Sequence, residues 1–263
     1  MLDYLKLFYD NRLLVWQLSK KDIMSKYLGS YLGIFWAFIQ PAITILIYWF
    51  IFEVGFKNVP IDNFPFILWF MAGIVPWFFF SEAISLTTGA ILDNTYLVKK
   101  VVFPIQLIPS IKIISSFFIH VVFILILIVV YLAYGYELSW YNLQIIYYSF
   151  SLIVLLIGLS WITSALMVFL KDVGQFVNMF LQFFFWLTPI LWNLNILPDK
   201  YEFYFKLNPL FYIVEGYRDS LFQHKGFWHH YQVTTYYWII TLLVLYVGNA
   251  LFKKLRPHFA DVL

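Results

Sequence analysis

Residues 113–136 read IISSFFIHVVFILILIVVYLAYGY, a run that contains no Asp, Glu, Lys or Arg. A helix of about 20 mostly apolar residues is long enough to cross the hydrocarbon core of a bilayer. Within lipid, a spanning segment must satisfy its own backbone hydrogen bonds, which a helix does. This run therefore predicts a transmembrane helix, and it indicates an all-α integral membrane fold for the chain.

Further charge-free runs lie on both sides of this one. They occupy residues 27–52, 63–81, 138–170, 173–198 and 226–252. Each of them approaches or exceeds the length needed to span a bilayer, so six transmembrane helices are expected. Their approximate bounds are 32–54, 64–89, 109–134, 143–169, 174–193 and 232–252.

The composition of the 263 residues excludes several other classes of protein. Charged residues make up 12% of the chain, whereas ordinary soluble domains carry about 25%. The chain is too apolar to be disordered, and it has no cysteine for disulfides or thiolate metal sites. Its net charge of +3 is too small to indicate a nucleic acid partner.

The positions of Lys and Arg predict the orientation. With six spans both termini lie on one side, where 12 of the 17 Lys and Arg residues fall, against five on the other side. The positive-inside rule then places both termini in the cytoplasm. A location in the plasma membrane is expected. Residues 1–31 are expected to be a cytoplasmic N-terminal segment, 32–254 the transmembrane domain and 255–263 a cytoplasmic tail.

Two segments outside the spans have helical patterns of their own. An amphipathic helix is expected from Lys20 to Leu28 on the cytoplasmic surface, with Ser19 and Asp22 forming a capping box at its start. The outer segment 194–230 is too long for a simple connection. Within it, Asn208 and Pro209 suit the N-cap and first position of an interfacial or re-entrant helix that continues to Phe222.

Aligned polar and aromatic side chains mark three of the predicted spans. They repeat on one side of spans one, two and five, at about 100° per residue. Such side chains suit a polymer of sugars or polyols, although Gln, Thr and Gly also hold membrane helices together. Glu82 is included because an acidic side chain within a span indicates function. The candidate path residues are Trp36, Gln40, Thr44, Tyr48, Trp69, Trp77, Glu82, Gln175, Asn178, Gln182 and Trp186.

Two prolines fall inside predicted spans. Pro76 lies in span two and Pro189 in span five, and each removes a backbone hydrogen bond. We expect both spans to be kinked at these positions.

Motifs for enzymatic chemistry are missing. The sequence has no Gly-Lys dipeptide, so it has no P-loop to cradle a nucleotide. It also lacks the HExxH and GxSxG motifs, and no metal site or cofactor is predicted. Any nucleotide-driven work therefore requires a separate chain.

Several segments resemble one membrane family along essentially the whole chain. These are Tyr27–Trp36 followed by Pro41, Ala72–Ser81, Lys99–Pro104, Thr188–Ile190, Leu197–Pro198 and Leu207–Pro209. Together they are similar to the ABC-2 family of polysaccharide-exporting permeases. The segments Pro189–Asn193, Val214–Ser220 and Arg256–Leu263 resemble the wall teichoic acid permeases of Gram-positive bacteria. O-antigen and capsule exporters share the architecture and are the alternative.

The resemblance implies a transporter subunit that performs no covalent chemistry. Two copies of the chain would pair with two copies of an ATPase that binds ATP and Mg²⁺. The substrate would be a polymer on an undecaprenyl diphosphate carrier. The ATPase would contact the N-terminal helix, the segment 93–103 and the loop between spans four and five, through Lys20, Lys21, Asp22, Asp93, Tyr96, Lys99, Lys100, Lys171 and Asp172. An outer gate would comprise Asn208, Pro209, Glu215, Tyr217 and Arg218.

Two other functions compete with transport. A membrane-embedded transferase would use Glu82 or His120 as a base, but it would need further ionisable groups converging at one face. A membrane scaffold without activity would show no coupling to ATP hydrolysis. A neighbouring gene for a P-loop ATPase would favour the transporter over both.

Overall fold

The computed structural model describes residues 2–26, 31–55, 64–98 and 103–263, and it is all-helical, as predicted. Within these residues, five helical segments are long and apolar enough to cross a membrane. They are Gly33–Gly55, Phe66–Asp93, Ile105–Ala133, Trp140–Phe169 and Tyr231–His258. These five correspond to predicted spans one, two, three, four and six.

We number the α-helices in chain order. They are α1 (Leu2–Asp10), α2 (Arg12–Lys26), α3 (Trp36–Trp49), α4 (Phe66–Asp93), α5 (Thr95–Val98), α6 (Ile108–Ala133), α7 (Gln144–Phe169), α8 (Asp172–Leu187), α9 (Asp199–Lys206), α10 (Pro209–Arg218), α11 (Tyr231–Leu255) and α12 (Phe259–Val262). A 3₁₀ turn, Gly33–Phe35, precedes α3, and a π-helical segment, Phe50–Gly55, follows it.

The centre of the bundle is α4, which packs against α6, α7, α8 and α10. Its most apolar stretch is 78% buried, whereas that of the first span is only 11% buried. The helix continues through Pro76, so the chain does not break there. In α3 only Ala37 and Ile45 are buried, so most of the first span is sparsely packed against the other described residues.

Helices α7 and α11 approach each other through two glycines. A Cβ atom on Gly158 would lie 2.8 Å from the backbone nitrogen of Leu245. The nearest atom to a Cβ atom on Gly248 would be the carbonyl oxygen of Gly158. Small residues of this kind allow membrane helices to pack backbone against backbone. The close packing of the last span therefore depends on both glycines.

Predicted span five differs from the structure. The expected helix was 174–193, kinked at Pro189, but α8 ends at Leu187 after 16 residues, a length of about 24 Å. Thr188 is extended, with φ −97° and ψ 130°. A residue that precedes proline is disfavoured in the helical region, so Pro189 ends the helix instead of bending it. Thr188 to Leu191 nevertheless remain buried.

The N-terminal helix also differs from the prediction. It begins at Arg12 instead of Lys20, and the expected capping box is wrong because Ser19 lies inside α2. Ser19 is fully buried, and its hydroxyl donates to the carbonyl of Ile111 in α6 over 3.2 Å. A small side chain at this position lets α2 pack closely on α6. Residues 27–30 at the predicted end of the helix lie outside the described residues.

Both ends of the chain meet at one end of the bundle, which we call the terminal end. Asp3 in α1 pairs with Lys253 in α11 over 3.6 Å. Phe259 in α12 is fully buried and packs against the rings of Phe169 and Phe252. The opposite end, where α10 lies, we call the α10 end. The termini therefore lie at the same end of the bundle. The six crossings and the placement of the termini in the cytoplasm stay predictions.

Candidate functional site

A groove of about 360 Å³ lies between α3, α4 and α8. Its side chains come from predicted spans one, two and five, the three spans that carry polar and aromatic residues along one side. It is lined by Thr44, Tyr48, Ile74, Trp77, Phe78, Ser81, Leu181, Gln182, Phe185 and Trp186. The convergence of these three helices makes the groove the candidate functional site.

The structure brings together part of the predicted path and separates the rest. Five predicted residues line the groove: Thr44, Tyr48, Trp77, Gln182 and Trp186. Four others lie outside the groove on exposed parts of α3 and α8: Trp36, Gln40, Gln175 and Asn178. Trp69 does not reach it and is buried elsewhere. Sequence reasoning missed Phe185, which an apolar pattern does not distinguish from a packing residue.

Phe185 joins the aromatic walls of the groove. Its ring centroid lies 5.4 Å from that of Trp77 and 6.2 Å from that of Tyr48. Separations of 4.5–7 Å are typical of favourable aromatic pairs. The rings offer apolar faces, while Gln182, Thr44 and Ser81 add amide and hydroxyl groups. A ligand with both C–H faces and hydroxyls fits this combination.

Glu82, the acidic residue expected in the path, is paired. Its carboxylate accepts a hydrogen bond from Lys26 at the end of α2. The Glu82 side chain is 27% exposed, and it follows Ser81, which lines the groove. Pairing lowers the cost of a charge at this depth. The contact also ties the N-terminal helix to the helix that forms one wall of the groove.

A small polar cavity of about 90 Å³ lies at the terminal end, between α2, the α4–α5 connection and α6. It contains three residues of the predicted ATPase-contacting set, Lys21, Asp22 and Tyr96. Asp22 accepts a hydrogen bond of 2.5 Å from Lys112 of α6. The exposed members of that set are Lys20, Lys21, Asp93, Tyr96, Lys171 and Asp172, and Lys99 and Lys100 lie outside the described residues.

We expect the pair between Asp22 and Lys112 to hold α2 on α6. Asp22→Lys should loosen the N-terminal helix by on the order of 1 kcal/mol, because the pair is mostly buried and two ammonium groups would then face each other. Adding Lys112→Asp should restore the attachment. Limited proteolysis between α1 and α2 measures the loosening. Equal cleavage of the single and double variants would contradict the pairing.

At the opposite end, α10 begins as the sequence predicts. The Asn208 side chain accepts from the backbone N–H of Leu210, and Pro209 occupies the first helical position. The amide of Asn208 also donates to the hydroxyl of Thr188 over 2.9 Å. The N-cap of α10 is thus attached to the residue at which α8 ends. The helix runs to Arg218 and continues as a π-helical turn, Asp219–Gln223, with Leu210 to Val214 buried.

Arg218 explains how the broken end of α8 is tolerated in the interior. Its side chain is 2% exposed. Its guanidinium donates to the carbonyls of Pro189 and Ile190 over 2.7 and 3.1 Å, and to Glu215 over 2.6 Å. Non-helical backbone at membrane depth requires such partners. The sequence predicts Arg218 in a gate but not its two carbonyl partners, because they lie 28 and 29 residues away.

The same guanidinium lies over Trp69 of α4, with its carbon 3.4 Å from the ring centroid. This cation–π contact buries Trp69, which was predicted to line the path. Gly73, one turn further along α4, provides the space for the guanidinium, because a Cβ atom at this position would lie 2.9 Å from Arg218 Nη2. Arg218 therefore connects α4, α10 and the end of α8.

Tyr217, also predicted for the gate, points into the core. It is fully buried, and its hydroxyl lies 3.0 Å from Nε2 of His120 and 2.6 Å from Oγ of Ser149. These contacts join α10 to α6 and α7. His120 is thus a hydrogen-bonded core residue, and it does not meet Glu82. Among the described residues, no three His, Asp or Glu side chains are placed to hold a metal ion.

Asp219 is the strongly perturbed acid at the α10 end. Its pKa is raised to about 6, mainly by burial and also by the negative charge of Glu215, while Lys225, His229 and Arg218 act in the opposite direction. The folded chain thus keeps this proton to a higher pH than the unfolded chain, whose pKa is about 3.8. Folding stability from this group falls as the pH rises from about 4 through 6.

Asp219→Asn is therefore expected to stabilise the protein at neutral pH. The amide keeps the size of the side chain without a buried charge, so the unfolding temperature at pH 7.5 should rise by a few degrees. At pH 4 the unfolding temperatures of the two proteins should coincide. Thermal unfolding in detergent at both pH values measures this. A lower unfolding temperature of the variant at pH 7.5 would show that the charged form is needed.

Comparison with known proteins agrees with this architecture. Residues 13–222 match the profile of the ABC-2 type transporter family. O-antigen export system permease proteins RfbA are similar over nearly their full length. The one from Klebsiella pneumoniae is 29% identical over 94% of this chain and 93% of its own, and the one from Myxococcus xanthus is 26% identical over 99% of both.

A third relative is the polysialic acid transport protein KpsM of Escherichia coli, which is 26% identical over 89% of this chain and 90% of its own. The family profile covers well over half of the residues, so the chain belongs to the ABC-2 type transporter family. It is a permease subunit and not an enzyme.

Proposed function

We propose that this member of the ABC-2 type transporter family is the membrane subunit of an exporter for a lipid-linked O-antigen or capsular polysaccharide. The convergence of aromatic, amide and hydroxyl side chains in the groove between α3, α4 and α8 carries the proposal. The O-antigen and polysialic acid relatives favour this substrate over wall teichoic acid, which the sequence motifs suggested first. They give no support to a Gram-positive origin, which the resemblance to wall teichoic acid permeases implied.

The groove would form one side of the polymer path. Sugar rings would lie against Trp77, Phe185 and Tyr48, with hydroxyls directed to Gln182 and Thr44. Gln175 and Asn178 are exposed on α8 in a single chain. Amides facing lipid are costly, so a second copy of the chain is the expected cover. Two copies would then enclose the path between their first spans and α8 helices.

A separate ATPase, in two copies, would supply the energy. The terminal end would face the cytoplasm, with the ATPase docked near Lys20, Lys21, Asp93 and Tyr96 and at the exposed loop of Lys171 and Asp172. Lys99 and Lys100 were predicted as further contacts and lie outside the described residues. ATP and Mg²⁺ would be bound by the partner chain, whose closure on ATP supplies the movement.

The N-terminal helix would carry that movement into the membrane. It is connected to α6 through Asp22 and Lys112, and to α4 through Lys26 and Glu82. A displacement of α2 therefore pulls on the helix that forms a wall of the groove. Closure of the ATPase would shift the population from a closed to an open path because the two states differ in these contacts. At the other end, α10 with Asn208, Pro209, Glu215, Tyr217 and Arg218 would be the gate.

The central test is polymer-stimulated ATP hydrolysis. We expect the chain, reconstituted with the ATPase encoded beside it, to hydrolyse ATP faster when lipid-linked polysaccharide from the same bacterium is added. Gln182→Leu should lower this stimulation about tenfold, because an amide contact to the polymer is lost. Gln232→Leu, at an exposed position of α11 outside the groove, is the matched control.

Two results would contradict the proposal. One is a failure of the chain to associate with any P-loop ATPase, which would favour a scaffold. The other is stimulation by lipid-linked teichoic acid but not by the polysaccharide, which would restore the first substrate class.

A further inference from the structure

A second cavity lies beside Arg218 at the α10 end. It has a volume of about 170 Å³ and is formed by the start of α4, the turn after α8, α9 and α10. Most of its wall is polar, and its side chains include Asn193, Asn195, Glu202, Glu215 and Gln223. It is separate from the groove, since the two have no lining residue in common.

The polar groups of this cavity retain unused hydrogen-bonding capacity. Arg218 adds nothing to this capacity, because both of its terminal nitrogens have partners and its Nε is inaccessible. Glu215 and Glu202 each present one oxygen to a cation, Arg218 and Lys206 respectively, and have a second oxygen to offer. A ligand that donates hydrogen bonds would satisfy these carboxylate oxygens.

The charges favour a neutral ligand. Both carboxylates in the wall are already paired with a cation, at 2.6 Å in each case. An added phosphate or carboxylate would meet two acidic side chains with no free cation among the residues that line the cavity. Hydroxyl groups, which both donate and accept, suit a wall of carboxylates and amides.

The size of the cavity limits the ligand to one unit. A volume of 170 Å³ corresponds to about six waters at about 30 Å³ each. This is the scale of a single pyranose ring with its hydroxyls, and it is too small for a chain of sugars to lie within. Phe64 and Phe222, whose ring centroids are 4.7 Å apart, supply an apolar part of the wall for C–H groups.

The cavity also lies close to the end of the groove. Trp69 in its wall and Trp77 in the groove are eight residues apart on α4, or about 12 Å along the helix axis. On the other side, the indole N–H of Trp192 donates to the carbonyl of Trp186, which lines the groove, and Asn193 comes next. A polymer that left the groove at the α10 end would meet this cavity first.

We propose that this cavity binds one neutral sugar unit of the polymer as it leaves the groove. The proposal rests on the export function proposed above. Its chemistry differs from that of the groove because hydrogen bonds dominate it, whereas aromatic faces dominate the groove. Binding there would hold the leading sugars at the α10 end between cycles of the ATPase.

Saturation-transfer NMR on the full-length chain in lipid nanodiscs tests the proposal without any ATPase. The probes are the methyl glycosides of glucose, galactose, mannose and N-acetylglucosamine, with the methyl glycoside of glucuronic acid as the anionic comparison. We expect at least one neutral glycoside to receive magnetisation. The double variant Asn195→Leu and Gln223→Leu should bind it about tenfold more weakly, because hydrogen bonds to its hydroxyls are lost. Both positions are exposed, so the fold should persist.

Gln232→Leu, an exposed position at the same end but outside the cavity, should leave binding unchanged. No transfer to any neutral glycoside, undiminished transfer in the double variant, or preference for the glucuronide would each overturn the proposal. Polysaccharide-stimulated ATP hydrolysis reports separately on the export function. If a neutral glycoside binds but polysaccharide does not stimulate ATP hydrolysis, only the export function is rejected. If polysaccharide stimulates ATP hydrolysis but no neutral glycoside binds, only the sugar site in the cavity is rejected.

Discussion

Gly158→Leu is expected to detach α11 from α7 and to leave little assembled protein in the membrane. The two helices pack backbone against backbone, and even the Cβ atom of alanine would lie 2.8 Å from the nitrogen of Leu245. Real Cβ contacts are not this short, and a backbone atom cannot rotate away as a side chain does. The cost of such overpacking is on the order of 3 kcal/mol or more.

A graded series separates packing from other effects. Gly158→Ala should already lower the unfolding temperature, and Gly158→Leu should lower it further or prevent purification. Gly89→Ala in α4 is the control, because the nearest atom to its Cβ would be a carboxylate oxygen of Asp93, at 3.4 Å. Alanine at that position should be neutral or slightly stabilising, since glycine is a poor helix former. Thermal unfolding in detergent, followed by size-exclusion chromatography, gives the ranking. Equal stability of Gly158→Leu and the unsubstituted chain would mean that α7 and α11 are not packed this way.

Arg218→Met should destabilise the α10 end by about 3–5 kcal/mol, which is typical for removing one partner of a buried charged pair. The change leaves the carbonyls of Pro189 and Ile190 without their donors and Glu215 without its cation. It also uncovers the ring of Trp69. We expect the segment after α8 to open and export to stop, with the terminal end still folded.

Arg218→Lys distinguishes charge from geometry. A lysine keeps the positive charge, but its single ammonium does not reproduce the fork that reaches two carbonyls and a carboxylate. It should therefore recover only part of the stability. Proteolysis between α8 and α9 measures the opening, and Lys225→Met, at an exposed position near Asp219, is the control. Full recovery by lysine would show that charge alone is required.

Local sequence patterns were sufficient for much of this fold. Each charge-free run contains a long helix, because in lipid a backbone has few other ways to satisfy its hydrogen bonds. The N-cap at Asn208 and the first-turn Pro209 were equally local, and both were predicted correctly. The end of α8 at Thr188 was also encoded locally, since a residue before proline avoids the helical region.

Contacts between distant residues could not be predicted in the same way. Lys26 meets Glu82 and Asp22 meets Lys112, across 56 and 90 residues. In sequence, each of these side chains is simply a charge near a membrane surface, and many pairings are consistent with that. Part of the predicted path failed to meet in the groove for a related reason. Trp69 has the same helical spacing as Trp77, but only the packing of Arg218 decides that it is buried.

The sparse packing of the first span has a consequence for biosynthesis. Residues Gly33–Gly55 are synthesised before the other four spans found among the described residues, yet they have few neighbours in α4. The opposite wall of the groove contains Phe185, whose ring packs against Tyr48. Phe185 is synthesised more than 130 residues after Tyr48. The earliest of these five spans to be synthesised is therefore among the last to be enclosed. Until then lipid must solvate its aromatic face, which makes it the segment most exposed to wrong partners during synthesis.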